Sequence, residues 1–208
     1  ARFDERNENT IEYKSPKIGP GVIVTGALSL HEGTTPDNKQ NKDKAYDISV
    51  AYKAGAVDLA AAYEHYEENR DKGQRDGIRL AGAYKIIPEL NLGAFYQYTT
   101  LDNPGDAPLK QDAHVFGVAA DYKLAPKTYI RGQVFHRNVD ADDANATLIA
   151  AGIEQRFDNQ FRVYGNLATV LNDKNSNLSP WAQGRSNVAS GSTGDDVVGL
   201  SVGMRYDF

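Results

Sequence analysis

Read backward from the last residue in steps of two, Phe208, Tyr206, Met204, Val202, Leu200 and Val198 are apolar or aromatic, while Asp207, Arg205, Gly203, Ser201 and Gly199 between them are polar or small. A period of two predicts an extended strand whose two faces meet different surroundings. Such a strand, at about 9 to 11 residues, is long enough to cross a bilayer at a tilt. The alternation recurs along the whole chain. Ile11 and Tyr13 oppose Thr10, Glu12 and Lys14; Tyr46, Ile48, Val50 and Tyr52 oppose Asp47, Ser49 and Lys53; Ile78, Leu80 and Tyr84 oppose Arg79 and Lys85. Further segments run through Val22–Leu30, Val57–Tyr63, Leu92–Tyr98, Phe116–Tyr122, Ile130–Val134, Ile149–Phe157 and Phe161–Leu167, for about eleven strands.

The connections sort by length. Short breaks at Pro16 to Gly21, Ala54-Gly55, Pro88, Pro126 and a two-residue hairpin turn at Asp158-Asn159 alternate with long polar loops at 31–44, 67–76, 100–111, around Asp140 and 172–196. A soluble sandwich gives no reason for that parity, whereas a transmembrane barrel puts its short turns on one side of the membrane and its long loops on the other. Tyr13-Lys14, Tyr52-Lys53, Tyr84-Lys85 and Tyr122-Lys123 each end a strand just before a short turn, with Phe157 and Tyr206 in the same place later. These predict an aromatic ring at one membrane interface, and Tyr46, Tyr63, Tyr98 and Phe116 predict the other. The expected fold is therefore all-β, a transmembrane antiparallel β-barrel, with residues 1–208 forming one barrel domain.

Composition changes the picture little. Charged residues make up 25% and hydrophobic ones 40%, as expected when alternating strands average two faces. No window reaches the roughly 18 apolar residues of a transmembrane helix. Without cysteine there is no disulfide or thiol chemistry, and a net charge of −5 offers no basic footprint for nucleic acid. The chain opens at Ala1 with no charged and apolar leader. An odd strand count leaves the first and last strands running the same way, unable to close antiparallel, so the remaining strands are expected from an N-terminal part.

Arg6, Asn9, Ile11, Tyr13, Ser15 and Pro16 resemble the segment that follows the constriction loop in general porins of Gram-negative outer membranes, and Gly199–Phe208 resembles the closing strand of that family. The resemblance covers essentially the whole chain as the C-terminal part of the family. It implies strands six to sixteen of a sixteen-stranded barrel, which accounts for the odd count. It further implies a homotrimeric, water-filled channel for small hydrophilic solutes and ions, with no cofactor, in contact with outer-membrane lipid and lipopolysaccharide. By the same resemblance, Asp4 and Glu5 are the tail of the constriction loop with Arg6 after it, Lys14 matches a basic wall residue opposite the loop, and Tyr206 and Phe208 form the assembly signal; the Tyr-Lys repeat gives Lys14 a second reading, a solvated interface lysine beside a short turn.

Strand parity adds candidates of its own. The charges Glu12, Lys14, Asp47, Asp58, Glu64, Arg79, Asp121, Arg131, Glu154, Arg156, Arg162 and Arg205 fall on the polar face. Near the midplane most of these would cost up to about 2 to 4 kcal/mol if turned to lipid, the arginines and lysine most, so that face predicts a water-filled lumen. Glu12, Arg79, Arg131 and Gln133 are the expected pore-lining residues beside Lys14, with Arg131 and Glu12 nearest mid-height; wall salt bridges are the bland fate of such charges. His31, His65, His114 and His136 near outer strand ends, with the pairs Asp142-Asp143 and Asp195-Asp196, would suit a rim-mounted hydrolase. No nucleophile or metal motif accompanies them, and solvated loop residues are the simpler reading. Arg70, Lys72 and Arg75 would suit lipopolysaccharide phosphates. A passive pore is the leading function; a plugged barrel used for anchoring or surface recognition is the alternative, and an outer-membrane hydrolase the third.

Overall fold

The computed structural model describes residues 9–30, 44–67, 74–103, 109–181 and 191–208. Among them lie eleven strands: β1 (Thr10–Lys14), β2 (Val22–Leu30), β3 (Lys44–Ala54), β4 (Val57–Tyr66), β5 (Gln74–Ile87), β6 (Leu90–Asn103), β7 (Leu109–Ala125), β8 (Thr128–Val139), β9 (Ala146–Arg156), β10 (Phe161–Asn172) and β11 (Val197–Tyr206). They hydrogen-bond in sequence order as one sheet. No described helix is long and apolar enough to cross a membrane. The connections at 55–56, 88–89, 126–127 and 157–160 are shorter than all those they alternate with, at 31–43, 67–73, 104–108, 140–145 and 173–196, as the sequence predicts; 15–21 is the exception, longer than 104–108 and 140–145.

The chain gathers into two compact units, Ala1–Gly82 with Tyr96–His114, and Ala83–Phe95 with Val115–Phe208. In the first, β1 to β4 are antiparallel neighbours with unbroken register: Glu12 stands opposite Ala27, Ala27 opposite Asp47, and Asp47 opposite Glu64. The same register sends Ile11, Tyr13, Leu28, Ile48, Val50 and Leu59 to the other face, all exposed. In the second unit, β8 to β11 pair in the same manner, with Arg131 opposite Gly152, Gly152 opposite Asn166, and Asn166 opposite Ser201. Their other face carries Ile130, Ile149, Ile153 and Leu167, ending in Leu200, Val202 and Met204 at 75%, 81% and 75% exposure.

Neither unit has a conventional core. The buried apolar residues of the described chain are mostly small, such as Ala45, Ala113, Ala146, Ala168, Val170 and Val197, whereas the large ones stand outward in rows. Water-exposed apolar patches of that extent do not persist on soluble monomers. Burying one such Leu or Ile from water is worth about 1.5 to 3 kcal/mol, so the outward rows require a hydrocarbon solvent.

The turn expected as the two residues Asp158-Asn159 is longer. Phe157 N donates to Phe161 O at 3.0 Å, leaving residues 158–160 as the loop. The Asp158 carboxylate accepts from Gln160 N at 2.7 Å and Phe161 N at 2.6 Å. An aspartate that mimics the backbone in this way stabilises a wider turn than the dipeptide alone suggests.

Candidate functional site

The inward face of the second unit carries a ladder of alternating charge. Arg131, in the middle of β8, faces a glycine, so its long side chain crosses Gly152 to reach Glu154 on β9. Its Nη1 donates to Glu154 at 3.1 Å and its Nε donates to Asp121 on β7. Glu154 also accepts from Arg156 Nε at 2.6 Å, and the Arg156 guanidinium lies 4.3 Å over the Tyr129 ring. Toward the short-turn edge, Arg162 and Arg205 both bond Asp207, at 2.9 and 2.7 Å. The Arg205 hydrogen bond holds the Asp207 carboxyl below the usual carboxylate range. Arg131, Arg156, Arg162 and Arg205 thus meet Asp121, Glu154 and Asp207, an excess of one positive charge.

Beside the ladder the wall is made of small residues. Ala83, Gly93, Ala119, Ala150 and Gly152 line a cavity of about 410 Å³ that also takes in Arg131, Gln133, Asn166 and Trp181. A second cavity, of about 340 Å³, is lined by Glu154, Arg162, Tyr164 and Arg205 and shares Arg131, Gly152 and Asn166 with the first. Trp181 comes from the 173–196 connection rather than from a strand. Asn172 ties together its described ends: its Nδ2 donates to Leu178 O and Asp195 O, both at 2.9 Å, and its Oδ1 accepts from Ser176 Oγ at 2.8 Å and Leu178 N at 3.0 Å. Pro180 is fully buried, and Trp181 has a φ of 60°. A bulky residue in that region costs about 1 to 3 kcal/mol and persists only when its surroundings impose it. The indole lies against Gly199 of β11, where an added Cβ would stand 2.5 Å from the ring.

The first unit's inward face differs in sign. Glu12, Asp47 and Glu64 follow the register described above. Arg79 Nη1 lies 3.8 Å from Glu64, and Arg79 Nε donates to Gln97 at 2.8 Å. Lys53 and Asp58 pair at 2.8 Å beside the 55–56 turn. Of the residues singled out from sequence, Glu12, Lys14 and Arg79 therefore lie on this inward face, and Arg131 and Gln133 on that of the second unit. Asp4, Glu5 and Arg6 lie outside the described residues. Tyr206 ends β11 with its hydroxyl 3.4 Å from Gln160, and Phe208 is fully exposed.

His65, His114 and His136 are strand residues on the outward face, not solvated loop residues. His65, 7% exposed, stacks on Tyr46 at 4.7 Å and sits 2.7 Å from Asp76, which also accepts from Tyr63 at 2.5 Å. His114 lies 3.0 Å from the Tyr96 hydroxyl and 4.8 Å from the Tyr98 ring, while Tyr98 donates to Asp112 at 2.9 Å. His136 lies 2.9 Å from Thr147 Oγ1. Sequence spacing hides these pairs because their members belong to neighbouring strands. Two loop carboxylates hold turns, Asp195 accepting from Ser192 N and Asp196 from Asn172 N, while the backbone carbonyls of Asp142 and Asp143 accept from Asn175 Nδ2 and N. Arg75 is buried, with its guanidinium 4.4 Å over Tyr66, and so is no loop phosphate clamp; His31, Arg70 and Lys72 lie outside the described residues. No cluster of three metal-ligating side chains occurs among the described residues.

Parity alone misses the inward aromatics. Phe135 covers Gly117 and lies 5.8 Å from Phe95, and Tyr164 covers Gly203 as Trp181 covers Gly199. The legible signal is a glycine on a neighbouring strand, whose missing side chain leaves room for a ring.

An antiparallel sheet with an apolar outer face, a charged inner face and aromatic residues beside its turns is the wall of a transmembrane β-barrel. The Gram-negative porin family matches over residues 1–175, and the chain belongs to that family, which places it in the outer membrane. Among solved structures, the chain is similar to the anion-selective porin from Comamonas acidovorans, at 21% identity and a TM-score of 0.82, covering 97% of this chain and 60% of that one. It is also similar to OmpT, an outer membrane protein of Vibrio cholerae (17%, 0.69, 95% and 63%), and to the outer membrane channel DcaP of Acinetobacter baumannii (12%, 0.66, 94% and 61%). The chain thus spans less than two thirds of the length of these structures. No curated protein matches it in sequence.

Proposed function

We propose that this chain forms part of the wall of a passive, water-filled outer-membrane channel, in a single β-barrel domain that passes small hydrophilic solutes and ions without chemical conversion. The observation that carries the reading is the segregation of charge. Glu12, Asp47, Glu64 and Arg79 in one unit, and Asp121, Arg131, Glu154 and Arg162 in the other, all lie on the face opposite the exposed Ile, Leu and Val rows. A barrel that only anchored a partner would need no such investment of ionised groups away from lipid. Glu12, Lys14, Arg79, Arg131 and Gln133 are read as pore-lining residues, Asp4, Glu5 and Arg6 as neighbours of the constriction, and Tyr206 with Phe208 as the assembly signal. The outward Tyr and His residues face lipid, lipopolysaccharide and the other subunits of a homotrimer.

Planar-bilayer recording on the full-length protein tests this. Ohmic single-channel steps in potassium chloride, grouped in threes, are expected. A folded protein that stays silent would leave the anchoring or recognition role in its place.

A further inference from the structure

The two neighbouring cavities of the second unit differ in chemistry. One has an alanine and glycine floor with the Trp181 indole beside it; the other is walled by Arg162, Arg205, Glu154 and Tyr164. They share Arg131, Gly152 and Asn166. Arg131 commits Nε and Nη1 to Asp121 and Glu154, which leaves Nη2 outside those two ion pairs, and its guanidinium carbon lies 6.0 Å from the Tyr129 ring. The indole is not there by default: Asn172 pins its loop with four hydrogen bonds, and its backbone sits at a φ of 60°. Gly199 leaves the space it occupies.

We infer that this pair of cavities is a solute subsite for small aromatic carboxylates, with the ring against Trp181 and the alanine floor and the carboxylate at Arg131. The assignment rests on the channel reading above and names its preferred solute class. A flat apolar body fits a floor without projecting side chains, and an offset stack on an indole is favourable at that contact. A carboxylate accepts a charge-assisted hydrogen bond from the remaining Arg131 nitrogen, and the positive excess comes from Arg162 and Arg205, which line the same cavity and share the single carboxylate of Asp207. A cation bearing the same ring meets that excess charge with the wrong sign, and acetate gains nothing from the indole. A cavity of about 410 Å³ accommodates a single-ring acid with its water. Selection then comes from the order of the groups along the wall, apolar body first and anion second.

The test uses the full-length protein in bilayers and in detergent, with benzoate as probe and acetate, cyclohexanecarboxylate and benzylammonium as controls. Benzoate is expected to reduce the chloride current saturably, with a half-effect concentration at least about five-fold below that of acetate or cyclohexanecarboxylate. Trp181→Ala is expected to abolish the benzoate-to-acetate difference, and Arg131→Gln to weaken both acids about ten-fold. Tryptophan fluorescence of the wild type, less that of Trp181→Phe, is expected to change saturably over the same benzoate range. Equal half-effects for benzoate and acetate, or a flat difference signal, would overturn the subsite while chloride current upholds the channel. A silent bilayer would overturn the channel, and the fluorescence titration in detergent would still decide the subsite. If Trp181→Ala does not fold, Trp181→Phe must retain part of the preference for benzoate over cyclohexanecarboxylate.

Discussion

Glu154 accepts a hydrogen bond from Arg156, two residues along the same strand, at 2.6 Å, and so bends the Arg156 side chain along the wall rather than into the open space before it. The same carboxylate holds Arg131 across the pair β8–β9. One buried acid thus restrains two arginines. Glu154→Gln should release both, shifting the zero-current potential in a salt gradient toward anion preference. The loss of stability should be about 1 to 2 kcal/mol, because both guanidinium groups keep contact with water. Reversal potentials and a denaturant titration check the two effects.

Substitution on the two faces of neighbouring strands should have unequal costs. Val202→Arg, on the outward face of β11, should lower folding stability in lipid vesicles by about 2 to 4 kcal/mol. Gln133→Arg, on the inward face of β8, should stay within about 0.5 kcal/mol. Equal losses in a denaturant titration in vesicles would contradict the assignment of the two faces.

Gly117 has no room for a side chain beneath Phe135. Gly117→Val should displace the ring and cost about 1 to 3 kcal/mol as an overpacked contact. The double variant Gly117→Val with Phe135→Ala should recover part of that loss, which a coupling energy from a double-mutant cycle would measure.

Asp158 lies in a turn outside the membrane span, where the backbone N–H groups of Phe161 and Gln160 hold its carboxyl below the ordinary aspartate range. A depressed folded-state pKa means that the contribution is fully present above the unfolded value, near 3.9, and fades as pH falls through the folded value. The difference in Tm between wild type and Asp158→Ala should therefore be constant at neutral pH and shrink below about pH 4. A difference that grows on acidification would contradict the turn geometry.

The period of two was sufficient to place nearly every strand, because β8 to β11 alternate without a bulge and each face has one solvent. The same rule placed Arg131 and Glu12 on the polar side. It was silent on what depends on register across strands. His65 and Asp76 are eleven positions apart, and only the pairing of β4 with β5 brings them together. Trp181 was less legible still. It belongs to a long connection that carries no periodic signal, and its position depends on the Asn172 hydrogen bonds and on the bare backbone of Gly199.

The sorting of connections by length has an evolutionary consequence. At 55–56, 88–89 and 126–127 the chain reverses in two residues, and an insertion there would shift the ladder by a residue and turn charged groups toward lipid. The opposite rim is free of that constraint. Antigenic drift, bacteriophage escape and grafted epitopes should therefore accumulate along one margin of the sheet, and the other should stay almost invariant in length.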